Sequence, residues 1–414
     1  MYRKRITDQL IKNKLEYTGA VLIEGAKCCG KTSSAEQLSK SRLYMQDPDT
    51  TEANIAFAST QPSLLLQGAN PRLIDEWQLA PNLWNAVRHD VDRRKQKGLY
   101  ILTGSSTAKE DDKMHSGTGR IARVLMRPMS LIESGDSSGE VSLASLFQGC
   151  TDIGALNTCK MEDIAYLLVR GGWPDSIGLS EKNARAKCID YVDSIVHTDI
   201  SSIDGVRRSP QKVKAFLRSL SRNISTSAPL SLIIKDTKAE DELIEDKSAY
   251  SYRDALEKIF IIEDLPAWTP ALRAKTPIRT VPTRHFVDPS LACACLGANT
   301  GNLIKDFRTF GLLFESMCIR DLRIYAESLD GTLSHFRNAN GFEVDAIMHQ
   351  GDGKWAAIEI KPGLDKLDES AKNLIKLRAM TNNKPTFLMI ITSVGNAYRR
   401  PDGVFVVPLS CLKN

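Results

Sequence analysis

The chain has 414 residues, of which 42% are apolar and 25% charged, and its formal net charge is +5. This length exceeds what one hydrophobic core usually organises, so we expect two or three domains. No apolar run reaches the roughly 20 residues of a membrane helix, and residues 1–8 carry charges without the apolar segment of a secretory signal. The nine cysteines are scattered without a C-x-x-C pair, which indicates reduced thiols in a cytoplasmic protein rather than a disulfide or zinc framework.

Residues 25–32 match the phosphate-binding pattern G-x-x-x-x-G-K-[ST] without a mismatch. An apolar run at residues 20–23 predicts a buried strand before this loop, and residues 32–40 predict the start of a helix after it. In that setting, backbone N–H groups and the helix N-terminus bind the phosphates of ATP. We expect the Lys31 ammonium to reach the β- and γ-phosphates and the Thr32 hydroxyl to bind Mg²⁺. The predicted nucleotide-binding residues are Gly25, Ala26, Lys27, Cys28, Cys29, Gly30, Lys31 and Thr32.

Polar residues end the next two apolar strands of the chain. One short strand leads to Asp75 and Glu76. We expect Asp75 to hold Mg²⁺ through water and Glu76 to polarise the water that attacks the γ-phosphate. Without the phosphate-binding loop, two solvated acids at a strand end would be the simpler interpretation. A second strand over residues 99–102 ends in hydroxyls, of which Ser105 or Thr103 is predicted to sense the γ-phosphate.

These three strand ends together resemble those of the AAA-type ATPases of bacteria and archaea. The resemblance extends to residues 119–121, 127–131 and 171–174, as in one family whose ATPase part is followed by a C-terminal region of unknown function. It implies an enzyme that hydrolyses ATP with Mg²⁺. It also makes Arg120 a candidate γ-phosphate-facing arginine, although an arginine in a loop before a strand is more often a surface residue. Because AAA-type sites often borrow an arginine from a neighbour, we expect a homo-oligomer that forms on binding ATP or a partner.

Helices are predicted through the middle of the chain. Residues 181–200 predict one amphipathic helix, whose apolar stripe should pack on the ATPase core. Three further helices are predicted over residues 209–223, near 230–235 and over 251–260, followed by extended segments up to residue 288. This order is typical of a winged helix, which the family resemblance also implies.

The predicted winged helix offers a surface for DNA. Its recognition helix would open at residues 251–254, and the stretch 271–285, which contains no acid, would track phosphates. Because Asp254 and Glu257 weaken the basic field, a plain protein-interaction module is an equal alternative. The basic residues predicted in or near the wing are Arg273, Lys275, Arg279 and Arg284.

A second group of polar residues lies near the C-terminus. An apolar helix holds Glu315, the strand over residues 342–348 holds Asp345, and the next strand holds Glu359 and Lys361. Side chains two apart on a strand share one face, so Asp345 and Glu359 would bind a metal while Lys361 orients water. This order resembles the PD-(D/E)xK restriction-endonuclease-like fold, which implies Mg²⁺-dependent cleavage of nucleic acid with Glu315 as a further ligand. The alternative is a binding domain in which the same residues form an ion pair.

We therefore predict an α/β protein of three parts: a P-loop NTPase domain of the AAA type over residues 1–200, a winged helix over 201–290, and a PD-(D/E)xK nuclease-like domain over 291–414. The leading function is an ATPase that couples its nucleotide state to binding of a partner, with DNA as that partner. The alternative is a nucleotide-dependent regulatory or scaffold protein whose nuclease-like domain is non-catalytic.

Overall fold

The computed structural model describes residues 2–106, 116–203, 205–240, 245–268 and 281–414. The chain divides into two compact units, one of Met1–Pro128, Ser201–Val206 and Lys258–Phe260, and one of Met129–Ile200, Arg207–Glu257 and Ile261–Asn414. This division differs from the predicted boundaries at residues 200 and 290, because residues 129–200 and the helices after them share a unit with the C-terminal sheet. Within the described ranges, no helix combines the length and apolar character needed to cross a membrane.

The described residues of the first unit form a parallel sheet joined by helices. The strands are β1 (Ala20–Glu24), β2 (Ser41–Tyr44), β3 (Arg72–Asp75), β4 (Tyr100–Gly104) and β5 (Ile121–Leu125). The helices are α1 (Ile6–Tyr17), α2 (Lys31–Leu38), α3 (Thr51–Thr60) and α4 (Asn82–Arg94). The strand order is β2–β3–β4–β1–β5, and every residue of β1 and β4 is buried. Their continuous apolar sequences are what strands at the centre of a parallel sheet require.

The parallel alignment decides which loops of the first unit meet. Because all five strands point the same way, the loops that follow them lie at one edge of the sheet. Strand β4 stands between β1 and β3, so the loop after β1 has the ends of β4 and β3 as its successive neighbours. A residue that precedes a strand lies at the opposite edge.

The remaining helices follow along the chain. They are α5 (Leu131–Ser134), α6 (Leu143–Phe147), α7 (Met161–Arg170), α8 (Glu181–Ser194), α9 (Ile200–Ser202), α10 (Pro210–Arg222), α11 (Leu230–Glu240), α12 (Asp246–Lys258), α13 (Pro289–Leu296), α14 (Thr300–Lys305), α15 (Phe307–Ser328) and α16 (Leu367–Met380). A π-helical turn, Ile195–Asp199, extends α8. Helix α8 belongs to the second unit, where the Tyr191 ring packs on the Trp173 ring with 4.7 Å between centroids, rather than with the sheet of the first unit as predicted.

The predicted winged-helix region contains α10, α11 and α12. Isolated antiparallel bridges join Ile262 to Phe286 and Leu265 to Thr283 after the third helix. Helix α12 begins at Asp246, so residues 251–254 lie in its middle and do not open it as predicted. Three of the predicted wing residues, Arg273, Lys275 and Arg279, lie outside the described residues. The winged-helix identity of this region stays a prediction.

A six-stranded sheet occupies the C-terminal part of the second unit. Its strands are β7 (Gly331–Arg337), β8 (Glu343–Gln350), β9 (Trp355–Lys361), β10 (Phe387–Thr392), β11 (Tyr398–Arg399) and β12 (Phe405–Pro408), and a separate parallel pair joins β6 (Val141–Ser142) to β13 (Leu412–Lys413). The order is β11–β12–β10–β9–β8–β7. Strands β7, β8 and β9 are antiparallel, whereas β9, β10 and β12 are parallel, with α16 as the crossover between β9 and β10. The helix and strand order agrees with the predicted nuclease-like layout, whose identity stays a prediction.

A buried ion cluster ties together separate segments of the second unit. The Arg320 guanidinium on α15 donates to Asp288 (2.8 Å) and, from Nε, to Asp321 (2.8 Å), and all three residues are at most 2% exposed. Asp288 also accepts from the Gly172 N–H (2.9 Å), and Asp321 from the Leu131 N–H (2.9 Å). Burial raises the pKa of Asp321 to about 6, although Arg320 opposes that shift. The cluster therefore connects α15 to the segments around residues 131, 172 and 288.

Removing the cation should destabilise the second unit strongly. We expect Arg320→Leu to lower the free energy of unfolding by about 3–5 kcal/mol, because it leaves two buried carboxylates without their counter-ion. Denaturant titration followed by circular dichroism measures the change. The matched control adds Asp288→Asn and Asp321→Asn to Arg320→Leu and should recover part of the loss. An unfolding free energy of Arg320→Leu within about 1 kcal/mol of wild type would contradict the assigned role.

Candidate functional site

The phosphate-binding loop runs from the end of β1 to the start of α2. Gly25 has φ of +152°, and a Cβ built at this residue would lie 2.1 Å from the Met126 carbonyl oxygen. Gly30 has φ of +103° and immediately precedes α2. Lys31 is 5% exposed, and its ammonium donates to the Gly25 (2.9 Å) and Ala26 (2.8 Å) carbonyls. The two glycines therefore permit a loop that curls around the lysine side chain.

Arg5 forms hydrogen bonds to the backbone of this loop, which the sequence analysis missed. The Arg5 guanidinium is buried and donates to the Cys29 carbonyl (2.8 Å) and the Arg127 carbonyl (2.8 Å). Cys29 is buried and its thiol donates to the Met126 carbonyl (3.3 Å), whereas Cys28 is exposed. Cys29 is thus a packing residue, and of the two cysteines only Cys28 has its side chain at the surface of the loop.

Asp75, Thr32 and Thr103 meet at the carboxyl edge of the sheet. One oxygen of Asp75, Oδ1, accepts from the Thr32 hydroxyl (2.8 Å) and from the Thr103 hydroxyl (2.5 Å). Thr103 is fully buried, and Asp75 is half-buried. Carboxylate and hydroxyl oxygens are suitable ligands for Mg²⁺, so Thr32 and Asp75 fit the ion that the sequence predicts here.

Glu76 is held in an unusual backbone conformation next to these residues. Its φ of 55° and ψ of 48° lie in the left-handed region, and its N–H donates to the Thr103 hydroxyl (3.1 Å). The Glu76 carboxylate accepts from the Ser105 hydroxyl (3.2 Å) and from the Gln78 amide. This conformation turns Glu76 away from the line of β3 and brings its carboxylate to the end of β4. Both predicted sensor residues therefore contact the predicted acids.

Gln78 is a residue of this site that sequence reasoning missed. It lies in a short 3-10 turn, Trp77–Leu79, and its amide nitrogen reaches both Glu76 and the Ser105 hydroxyl (3.4 Å). Its position two residues after Glu76 was the only available signal, and spacing alone could not show that the chain turns back. Gln78 therefore restrains the orientation of the Glu76 carboxylate.

The structure does not place Arg120 in this site. Arg120 precedes β5, and its carbonyl accepts from the N–H of Ala20, the first residue of β1. It therefore lies at the amino edge of the sheet, about 15 Å of strand away from the phosphate-binding loop. Its side chain is 44% exposed and donates to Asp92 on α4 (2.9 Å). The prediction that Arg120 faces the γ-phosphate of its own chain is wrong, and its alternative, a surface arginine before a strand, describes this position.

The four C-terminal residues lie on α15, β8 and β9, as predicted. The Lys361 ammonium is 2.6 Å from Glu359 and 3.1 Å from Asp345. Asp345 also accepts from the Ile360 N–H (2.7 Å), and Glu359 is only 3% exposed. Lys361 thus bridges the two carboxylates, which is the ion pair that the alternative interpretation predicts.

Burial and mutual repulsion perturb the acids of this group. Burial, reinforced by Asp345, raises the pKa of Glu359 to about 8 and raises the pKa of Glu315 well above its usual range. Burial opposes the charged form of Lys361, but Asp345 and Glu359 raise its pKa overall. Across the described part of the chain, no three Asp, Glu, His or Cys side chains form a group that could hold a metal. Metal binding by Glu315, Asp345 and Glu359 therefore stays a prediction. It requires the Lys361 ammonium to move away from the two carboxylates that it contacts.

The described residues of the predicted DNA surface are engaged with other side chains. Arg253 donates to Glu257 (2.6 Å), and Tyr252 is buried against Phe216. Arg284 is 7% exposed and donates to the Asp264 carboxylate. Arg284 is therefore an internal residue, contrary to its predicted place at a phosphate-contacting wing.

Three family models match separate parts of the chain. Residues 17–134 match an AAA domain, residues 161–302 match a domain of unknown function (DUF8612), and residues 310–412 match another (DUF4143). No curated protein matches the chain. Among solved structures, the chain is similar to the Walker-type ATPase PabY2304 of Pyrococcus abyssi, with 15% identity and a TM-score of 0.43 over 71% of this chain and 96% of that one.

The raised pKa of Glu359 makes stability depend on pH. Because the folded value of about 8 exceeds the ordinary 4.5, the native state binds more protons between these pH values, and stability falls as pH rises through them. The free energy of unfolding of wild type should fall as pH rises from 5 to 8. In Glu359→Gln we expect this fall to be smaller by about 1–3 kcal/mol. Denaturant titrations at both pH values measure this difference, with Glu369→Gln, at an exposed residue of α16, as the control. If the free energies of unfolding of wild type and Glu359→Gln changed equally with pH, the raised pKa of Glu359 would be disproved.

Proposed function

We propose that this protein, whose residues 17–134 form an AAA-type P-loop domain, hydrolyses ATP and couples its nucleotide state to binding of DNA. The observation that carries the proposal is the convergence of Lys31, Thr32, Asp75, Glu76 and Ser105 at one edge of a parallel sheet. Ligands of open α/β sheets bind at this edge, where helix N-termini and strand ends face the same cleft.

Each residue at this edge has a distinct chemical task. Lys31 neutralises charge on the β- and γ-phosphates, since its ammonium lies within the loop that binds them. Thr32 and Asp75 would hold Mg²⁺, which would supply positive charge to the phosphates of ATP. Glu76 orients the attacking water, and Ser105 and Gln78 hold its carboxylate in place. Thr103 fixes both the Asp75 carboxylate and the Glu76 backbone, so the two acids keep a constant relative position.

Different substitutions at this edge should block different steps. Lys31→Ala should abolish ATP binding, whereas Glu76→Gln should retain ATP binding and lose at least about 100-fold in turnover, because it removes only the group that polarises water. Phosphate release and equilibrium binding of a fluorescent ATP analogue measure the two effects. Lys12→Ala, at an exposed lysine of α1, is the matched control and should bind and hydrolyse ATP like wild type. Wild-type turnover by Glu76→Gln would exclude the role assigned to that residue.

The same ATPase assay tests whether DNA is the partner. Turnover measured with duplex DNA, single-stranded DNA and RNA should rise with DNA if nucleotide state and DNA binding are coupled, by the reciprocity of linked equilibria. Turnover that no nucleic acid alters, together with no DNA affinity, would favour the regulatory or scaffold alternative.

Sedimentation of Glu76→Gln with and without ATP tests the proposed nucleotide-dependent homo-oligomer, and an unchanged mass would count against it.

Cleavage of nucleic acid by the C-terminal part is a second candidate function. The close approach of Asp345, Glu359 and Lys361 on adjacent strands beside a helix that carries Glu315 favours it. Two carboxylates in a buried place repel each other, and a divalent cation would relieve that repulsion and activate water. The competing interpretation is that Lys361 already supplies the compensating charge, so that the domain binds its partner without cleaving it.

A nicking assay separates these two interpretations. If the site is catalytic, wild type should nick supercoiled DNA with Mg²⁺ or Mn²⁺, and Asp345→Ala should not, because a carboxylate that binds the cation is lost. Glu369→Ala, which removes an exposed carboxylate on α16, is the control and should cleave like wild type. Equal background cleavage by all three proteins, with no metal binding in calorimetry, would leave the ATPase with a binding domain.

A further inference from the structure

One helix of the second unit, α10, carries positive charge that no acid on the same helix balances. Residues 205–235 contain seven basic residues and no acid. Helix α10 alone carries four cations without an acid, a net charge of +4. Among helices of ten or more residues in the described ranges, no other has a net charge above +1. A block of like charges on one helix requires either solvent or an oppositely charged partner.

The fold sorts these cations onto one face of α10. Its apolar residues, among them Val213, Phe216, Leu217 and Leu220, are buried. Lys214, Arg218 and Arg222 are exposed, and they follow one another at intervals of four residues. Residues four apart lie on the same side of a helix, so these three cations form a basic stripe about 12 Å long. We use the name basic stripe for these three residues.

Among the described residues, acids on neighbouring helices pair with Lys214 and Arg222. Lys214 contacts Asp193 on α8 (2.7 Å), and Arg222 contacts Asp236 on α11 (3.2 Å). Both pairs are at least 30% exposed, and ion pairs with that exposure contribute little to stability. They hold the long side chains in position, and the phosphates of a polyanion can replace the acids at small cost.

The helix predicted to read DNA lacks such a surface. Helix α12 contains three acids and three bases, and Arg253 is paired with Glu257 four residues further along the same helix. The difference between the two helices therefore favours α10 as the helix that faces a polyanion. A regular row of cations suits the repeated phosphates of a nucleic-acid backbone, which attract cations independently of base sequence.

We propose that the basic stripe of α10, rather than α12, contacts the phosphate backbone of duplex DNA. This inference rests on the proposed function, which supplies DNA as the partner, and adds the surface that binds it. Contacts of this kind position a protein on DNA without selecting a sequence. Their energetic signature is release of counter-ions, so that each phosphate contact adds about 0.9 to the slope of log affinity against log salt.

The salt dependence of DNA binding tests the proposal. The probe is a fluorescein-labelled DNA duplex of arbitrary sequence, and fluorescence anisotropy gives its affinity for the full chain at several KCl concentrations. The combined substitutions Lys214→Gln, Arg218→Gln and Arg222→Gln should weaken binding and reduce the slope by about 2 to 3. Arg218→Lys, which keeps the charge, should retain the wild-type slope. Circular dichroism and thermal unfolding of the triple variant should match wild type, which shows that the second unit is folded.

The matched control makes the same change of charge on the other helix. Lys247→Gln, Arg253→Gln and Lys258→Gln in α12 should leave affinity and slope close to wild type. An unchanged slope in the α10 triple variant, with wild type binding DNA, would overturn the assignment of the surface and leave the proposed DNA partner standing. No DNA binding by wild type would overturn both. Equal competition by an acidic polypeptide would reassign the stripe to an acidic protein partner and likewise overturn the proposal.

Discussion

The buried charge of Arg320 is the constraint on which the second unit depends most. A guanidinium without access to water requires carboxylates around it, and those carboxylates require further donors. Here Asp288 obtains its donor from Gly172, and Asp321 obtains its donor from Leu131, so distant segments are fixed by the needs of one cation. A Cβ at Gly172 would lie 2.1 Å from the Met129 carbonyl oxygen, which explains the glycine at this crossing. Helix α15 is therefore held at Arg320, five residues from the Glu315 that it presents to the C-terminal site.

The site in the first unit depends on one carboxylate oxygen, Oδ1 of Asp75, which accepts hydrogen bonds from two hydroxyls. Asp75 joins the helix after the phosphate-binding loop to the strand beside it, because Thr32 and Thr103 both donate to its Oδ1. Thr103 in turn accepts from the Glu76 N–H, which fixes the unusual backbone of that residue. Three strand ends are thus connected by four polar groups, and a change at one of them is transmitted to the others. The site acts as one unit, so the effects of substitutions within it should not be additive.

The sequence predicted the central strands well and the charged features poorly. Strand β9 has the predicted limits because its apolar residues, interrupted only by the buried Glu359, end at Lys361. The start of α12 was missed, since its first turn is charged and exposed and shows no apolar period. Arg120 was misplaced because adjacency to a motif does not reveal on which edge of a sheet a residue lies. Arg320 and Asp321 look like solvated charges in the sequence, and only the tertiary fold shows that they compensate each other.

The short pairing of β6 with β13 has a consequence for the order in which the molecule is made. Ser142 donates to the carbonyl of Asn414, 272 positions later, and the two strands lie side by side. At a synthesis rate of about 5–20 residues per second, the partner of β6 emerges roughly 14 to 54 s after β6 itself. Most of the first unit, up to Pro128, has left the ribosome by then. The parallel sheet of the first unit can therefore fold during translation, whereas the pairing of β6 has to wait until β13 is made.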